Sequence, residues 1–207
     1  MSAYGFFKGL LYPLFKVLFN YKTYGRENVP KDGGYIVSGN HVAYRDPVII
    51  IYGTKQKVRY VAKSDLQRMA VFRLIFRIFR IIPIRRGESD RQALKYCCDT
   101  VKNGEILGIF PQGTRMPGVE ISPDLAMAGI GFIAMNTKAA VLPVRLVYKD
   151  NVPKLFRRTT LLIGKPIPYE EYMSIEGGDP TRKQVSEYIF SKTCELSEEQ
   201  FIKNKKA

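Results

Sequence analysis

His41 is the only histidine in a chain of 207 residues, and it stands five positions before Asp46 in the stretch SGNHVAYRDP. An imidazole and a carboxylate so placed suggest general-base catalysis. The carboxylate accepts the Nδ1 proton and fixes the tautomer, which leaves Nε2 to take a proton from a substrate hydroxyl. The spacing restricts how the two can meet. On a continuous helix, residues five apart project about 140° apart, so the chain must fold back between them. Asp46 followed by Pro47 reads as a helix N-cap and first helical residue. A cap at Asp46 permits that turn, with one carboxylate oxygen on the helix and the other on the imidazole. Taken alone, such a pair is more often a structural histidine near an ordinary cap than a catalytic base.

Three further stretches carry charge suited to the same chemistry. IFPQGTR (109–115) is a strand that exits through Gly113 into a tight turn, presenting backbone N–H groups and the Arg115 guanidinium to a phosphate or an oxyanion. IPIRRG places Arg85 and Arg86 at another strand end, and YVAKSDL places Lys63 at a third. Three strand ends with cations beside one with the His/Asp pair describe a site for an anionic acceptor that bears a hydroxyl.

The elements that must position these residues are legible as alternating periods. Strand candidates are YIVSG (35–39), VRYVAK (58–63), IIPIR (81–85), ILGIF (106–110), AVLPVRLVY (140–148) and TTLLIG (159–164). Helices are expected from Asp46 through VIIIY, from about Asp65 to Arg80, and from Ser89 to Asn103–Gly104 with a Ser89/Gln92 capping box. Two more are expected at 129–137 and from Thr181 onward. Near-continuously apolar strands alternating with helices predict an α/β domain with a mostly parallel, largely buried mixed sheet flanked by helices. His41 then sits just beyond the carboxyl end of a strand, where ligands of such sheets bind.

Composition narrows the partners. Thirty-three Lys and Arg against nineteen Asp and Glu give a net charge of +14, which favours an anionic partner. The first 22 residues are rich in Phe, Leu and Tyr but interrupted by Lys8, Pro13 and Lys16, too short an apolar run to span a bilayer. They read as an amphipathic helix lying in a membrane interface, followed by one catalytic domain over 23–207. In the 65–80 helix, Arg73, Arg77 and Arg80 share one face of a very apolar helix, which suits either an anionic bilayer or a core helix with a basic edge. Its aromatics do not sit at alternating strand positions as base-stacking platforms would, so nucleic acid is not an expected partner. Cys97, Cys98 and Cys194 form no framework, and with one histidine no metal site is expected.

The ordered set NHVAYRDP, VAKSDL, IPIRRG, FPQGTR and VLPVRL, with the later IGKPIP, resembles the glycerolipid acyltransferases over about residues 25–166, specifically the 1-acylglycerol-3-phosphate (lysophosphatidate) acyltransferase family. The resemblance implies direct acyl transfer from a thioester, carried by coenzyme A or acyl carrier protein, to the hydroxyl of a lysophospholipid, with no cofactor. His41 resembles the family's base and Asp46 its orienting carboxylate. Lys63, Arg86 and Arg115 match positions that hold the acceptor phosphate. Gln112, Gly113 and Thr114 fall in the acceptor-binding motif, and Pro143 marks a structural strand. It also implies a peripheral enzyme on the cytoplasmic face of the membrane. Two positions depart from the pattern: Gln112 stands where the family carries Glu, and Met127 where a Lys is usual. Both changes remove charge from the acceptor region, which leaves a catalytically weak, anionic-lipid-binding relative as the alternative.

Overall fold

The computed structural model describes residues 20–63, 73, 76–77, 81–84, 91–154 and 156–203. Seven strands form one sheet: β1 (Tyr21–Tyr24), β2 (Ile36–Gly39), β3 (Val58–Lys63), β4 (Ile82–Ile84), β5 (Ile106–Ile109), β6 (Val141–Tyr148) and β7 (Thr159–Ile163). Their order across the sheet is β1-β7-β6-β2-β5-β3-β4. All neighbours are parallel except β6 and β7, so the five consecutive strands from β6 to β4 run one way and β1 and β7 run the other. The described helices are α1 (Asp46–Thr54), α2 (Arg91–Lys102), α3 (Gly129–Thr137), α4 (Tyr169–Met173), α5 (Arg182–Cys194) and α6 (Glu198–Lys203).

The strand alternation sorts the core into two layers. Tyr35 and Val37 pack with Ile49 and Ile50 of α1 on one face, together with Leu142, Val144, Leu146 and Tyr148. Ile36, Leu107 and Val141 face α2, α3, α4 and α5 on the other. Ile36, Leu107 and Leu142 are fully buried, each contributing about 1.5–3 kcal/mol of burial free energy. The C-terminal helix α5 starts as its sequence requires: Thr181 accepts from the Gln184 N–H, and the Gln184 side chain accepts from the Thr181 N–H.

The structure corrects the sequence reading of two elements. Tyr21 and Lys22, assigned there to the N-terminal helix, are residues of β1, an edge strand paired with Thr159 and Thr160. A short helix, α4, occupies 169–173, where none was expected. The rest of the N-terminal segment and the Ser89 cap lie outside the described residues. Of the 65–80 helix, residues 73, 76 and 77 are described and are helical, with Phe76 buried and Arg73 and Arg77 exposed. Among the described residues no helix is long and apolar enough to cross a membrane.

Chain order fixes where a site can form. From β2 the chain crosses to β3 and β4, returns to lay β5 between β2 and β3, then places β6 on the other side of β2. The carboxyl end of β2 is therefore a switch point of the parallel strands, where a crevice opens. The next residues are Asn40 and His41.

Candidate active site

Asn40 carries the sheet one step past the last residue of β2. Its side-chain amide copies a strand residue: Nδ2 donates to the Leu146 carbonyl at 2.9 Å and Oδ1 accepts from the Leu146 N–H at 2.7 Å. The residue is buried, so the paired bonds also satisfy a polar group that would be costly left alone. The loop that follows is pinned to β6 before it turns toward α1.

Asp46 is wholly buried and accepts four hydrogen bonds. Oδ2 takes His41 Nδ1–H at 2.8 Å and the N–H groups of Val42 at 2.6 Å and Ala43 at 2.7 Å. Oδ1 takes the Tyr148 hydroxyl at 2.5 Å. The expected N-cap role is thereby corrected. The helix is capped at Arg45 without a side-chain bond, and Asp46 is already its first residue. The carboxylate reaches backward over the 41–43 turn instead of forward along the helix. The chain does fold back between His41 and Asp46, and the two side chains meet. With a carboxylate as partner, Nδ1 carries the proton and Nε2 is the free basic nitrogen. Nε2 makes no hydrogen bond within the described residues.

The ring of His41 is fixed by stacking as well. It lies on Phe110 with centroids 4.1 Å apart and planes 12° apart, and Phe110 lies on Tyr60 at 5.4 Å and 14°. Gly108 makes room for this pile, since a Cβ there would sit 2.3 Å from the Tyr60 ring. Such offset aromatic contacts hold a ring in place at about 0.5–1.5 kcal/mol per pair.

Loop 110–116 grips the backbone of His41 from both sides. The His41 N–H donates to Gln112 Oε1 at 2.7 Å, and the Met116 N–H donates to the His41 carbonyl at 2.9 Å. Gln112, expected among acceptor ligands, is buried and turned inward, its Nε2 lying 3.3 Å from Met116 Sδ. Gly113 has φ +66°, a left-handed conformation that favours glycine, while the Met127 side chain nearest a Cβ at this position is exposed and can swing aside. Thr114 and Arg115 are exposed at the tip of the turn, with the Arg115 guanidinium 3.5 Å from the centre of the Tyr44 ring. The backbone puts Lys63 at the end of β3, in register with Ile84. Arg86 lies outside the described residues. Pro143 pairs with Ser38 inside the sheet.

The sequence reading missed Tyr148. Burial, and then the charge of Asp46 beside it, hold its phenol proton well above the ordinary tyrosine range, so the hydroxyl is a permanent donor to the carboxylate. The signal was present: 142, 144, 146 and 148 alternate onto one face of β6, and the last of the four has a polar tip. Tyr148→Phe is expected to lower kcat roughly tenfold with little change in the acceptor KM, since a hydrogen bond to a charged group is worth about 1.5–3 kcal/mol. A kcat identical to that of the parent would remove Tyr148 from the machinery.

A family model described as Acyltransferase matches residues 20–147, well over half of the chain. The chain belongs to the acyltransferase family. The match takes in the His41–Asp46 pair and the 110–116 loop. Among curated acyltransferases, the 1-acyl-sn-glycerol-3-phosphate acyltransferase of Bacillus subtilis is 27% identical over 155 residues, covering 73% of this chain and 75% of that one. The enzyme of the same name from Borreliella burgdorferi is 31% identical over 129 residues, covering 61% of this chain and 51% of its own length. The crystal structure of the 1-acyl-sn-glycerophosphate (LPA) acyltransferase PlsC from Thermotoga maritima superposes with a TM-score of 0.72 at 23% identity, covering 99% of this chain and 80% of that one. That likeness establishes a shared acyltransferase fold: a single mixed α/β domain with helices on both faces of the sheet.

Proposed function

We propose that this acyltransferase moves a fatty acyl group from an activated thioester to the free hydroxyl of lysophosphatidate or a related lysophospholipid, yielding phosphatidate or its analogue. The observation that supports it most is the contact of His41 Nδ1 with buried Asp46, with the His41 backbone held by the same 110–116 loop that carries exposed Arg115. The acceptor hydroxyl gives its proton to Nε2 as its oxygen attacks the thioester carbonyl carbon. The tetrahedral intermediate collapses, the carbon–sulfur bond breaks, and the imidazolium returns the proton to the departing thiolate. Asp46 remains charged throughout and stabilises the imidazolium. No acyl-enzyme and no cofactor enters this scheme.

The acceptor phosphate is assigned to Arg115, with Lys63 and Arg86 as the other cations expected at neighbouring strand ends. The Thr114 hydroxyl is exposed on the same turn, and Gly113 gives the turn its shape. Gln112 serves a different part: it positions His41 through its backbone. The Glu-to-Gln difference therefore acts on the base as well as on the acceptor region. The enzyme is proposed to work as a peripheral protein at the cytoplasmic face of the membrane, with lysolipid and donor, including acyl carrier protein, as its partners.

The test crosses acyl-coenzyme A and acyl carrier protein thioesters with lysophosphatidate and with zwitterionic lysolipids. Thiol release matched by phosphatidate formation, strongest with lysophosphatidate, is expected. No transfer with either donor, while anionic vesicles are still bound, would replace this reading with that of a lipid-binding relative.

A further inference from the structure

Among the described residues, most of the large apolar side chains left exposed gather in one set of loops. Phe156 is 64% exposed, Tyr44 69% and Met127 61%, with Val119 and Val152 also exposed. All five stand in loops, and hydrogen bonds tie those loops to one another and to the catalytic turn. Gly118 N–H donates to the Asn151 carbonyl, Arg45 Nη2 to the Lys154 carbonyl, and Met116 N–H to the His41 carbonyl. Among the described residues, the other exposed large apolar side chains, Tyr96 and Ile202, lie on α2 and α6.

Sheet direction explains the clustering. β6 ends at Tyr148 and its antiparallel partner β7 starts at Thr159, so the connection 149–158 emerges at the edge of the sheet where β2 delivers His41. β1 starts at the same edge, because Tyr21 pairs with Thr159. Asn20 Nδ2 donates to the Phe156 carbonyl, so the chain enters β1 beside Phe156. Interleaved with the apolar residues are exposed Arg115, Lys149, Lys154 and Arg158, against exposed Glu120 and Asp150. Asp150 stands 3.8 Å from Arg157.

We infer that this edge is a bilayer-docking face, with Phe156 and Val152 entering the acyl region of an anionic membrane and the neighbouring cations meeting lipid phosphates. An acidic protein would complement the cations but would leave Phe156 and Val152 without an apolar partner, whereas a phospholipid surface supplies both parts at the required depths. The inference rests on reading the site as one that draws its acceptor from lipid. Docked in this way, the mouth of the site faces the headgroup layer, and an amphiphilic acceptor reaches Nε2 without leaving the membrane.

The test uses the full chain and sedimentation with phosphatidylcholine vesicles containing or lacking phosphatidylglycerol. Phe156→Asn suits the φ of 59° at that position and is paired with Val152→Ser. The double variant is expected to bind anionic vesicles at least about tenfold more weakly, as loss of a buried Phe predicts. Lys154→Glu with Arg158→Glu should weaken binding only when phosphatidylglycerol is present. Lys102→Glu, an exposed charge reversal at the opposite edge, should change nothing. Turnover of a monomeric short-chain lysophosphatidate should survive in all of them. Unchanged vesicle binding by the Phe156/Val152 variant overturns the inference. So does unchanged vesicle binding with a raised KM for the carrier-protein donor, which would give the face to that protein. Failure of the parent chain to acylate the monomeric acceptor, with the vesicle results as expected, would strike the proposed reaction and leave the docking face standing.

Discussion

His41→Ala is expected to lower kcat for acyl transfer by about 10²–10⁴-fold, the contribution of a well-placed general base. The acceptor KM should move little, because the imidazole is assigned to the hydroxyl proton and the cations to the phosphate. The protein should stay folded. The grip on residue 41 runs through its backbone, to Gln112 and from Met116, and both bonds survive loss of the ring. What goes is the stack on Phe110 and one of four donors to Asp46, a cost of order 1–3 kcal/mol. Steady-state kinetics on protein with an intact melting transition checks the prediction. Full activity would end the assignment of His41 as base.

Asp46→Asn is expected to lower kcat by a comparable factor through a different cause. An amide oxygen can still accept from Val42 and Ala43, and the amide nitrogen can donate to a Tyr148 hydroxyl that rotates to accept. The turn is therefore largely kept, while the charge that stabilises the imidazolium is lost. Stability should fall by about 1–3 kcal/mol, since charge-assisted bonds become neutral ones. The His41→Ala/Asp46→Asn double variant should be hardly slower than the slower single, as expected for residues that act as a unit. Multiplicative losses would mean that the two act independently.

The strands were legible because their apolar runs are bounded by turns, and β3 coincides with its predicted span. β1 was not legible: YKTY follows an apolar run directly, and its partner β7 lies over a hundred residues later. Strand order was equally hidden, because nothing local says that β5 enters between β2 and β3. At the site, the His41–Asp46 contact could be read from spacing, while the direction of the carboxylate could not. N–H groups lie on both sides of Asp46, and a cap on α1 is a sound local expectation. The backward orientation also satisfies Val42 and Ala43, and it is held by Tyr148, 102 positions away. Gln112 shows the same limit. A motif marks it as part of the acceptor loop, but only the packed structure shows it facing the His41 backbone.

The paired bonds between Asn40 and Leu146 have a consequence for folding. They join positions 106 apart in sequence, while the Gln112 bond to His41 spans 71. Contacts of such separation form late, because the loop between their ends must close before they return any free energy. During synthesis, a chain extended only through β5 holds His41 and Asp46 but has no β6 to pin the turn and no Tyr148 hydroxyl to hold the carboxylate. Transfer competence therefore arrives abruptly once β6 docks, and a ribosome-bound intermediate ending before Val141 carries an unfinished base.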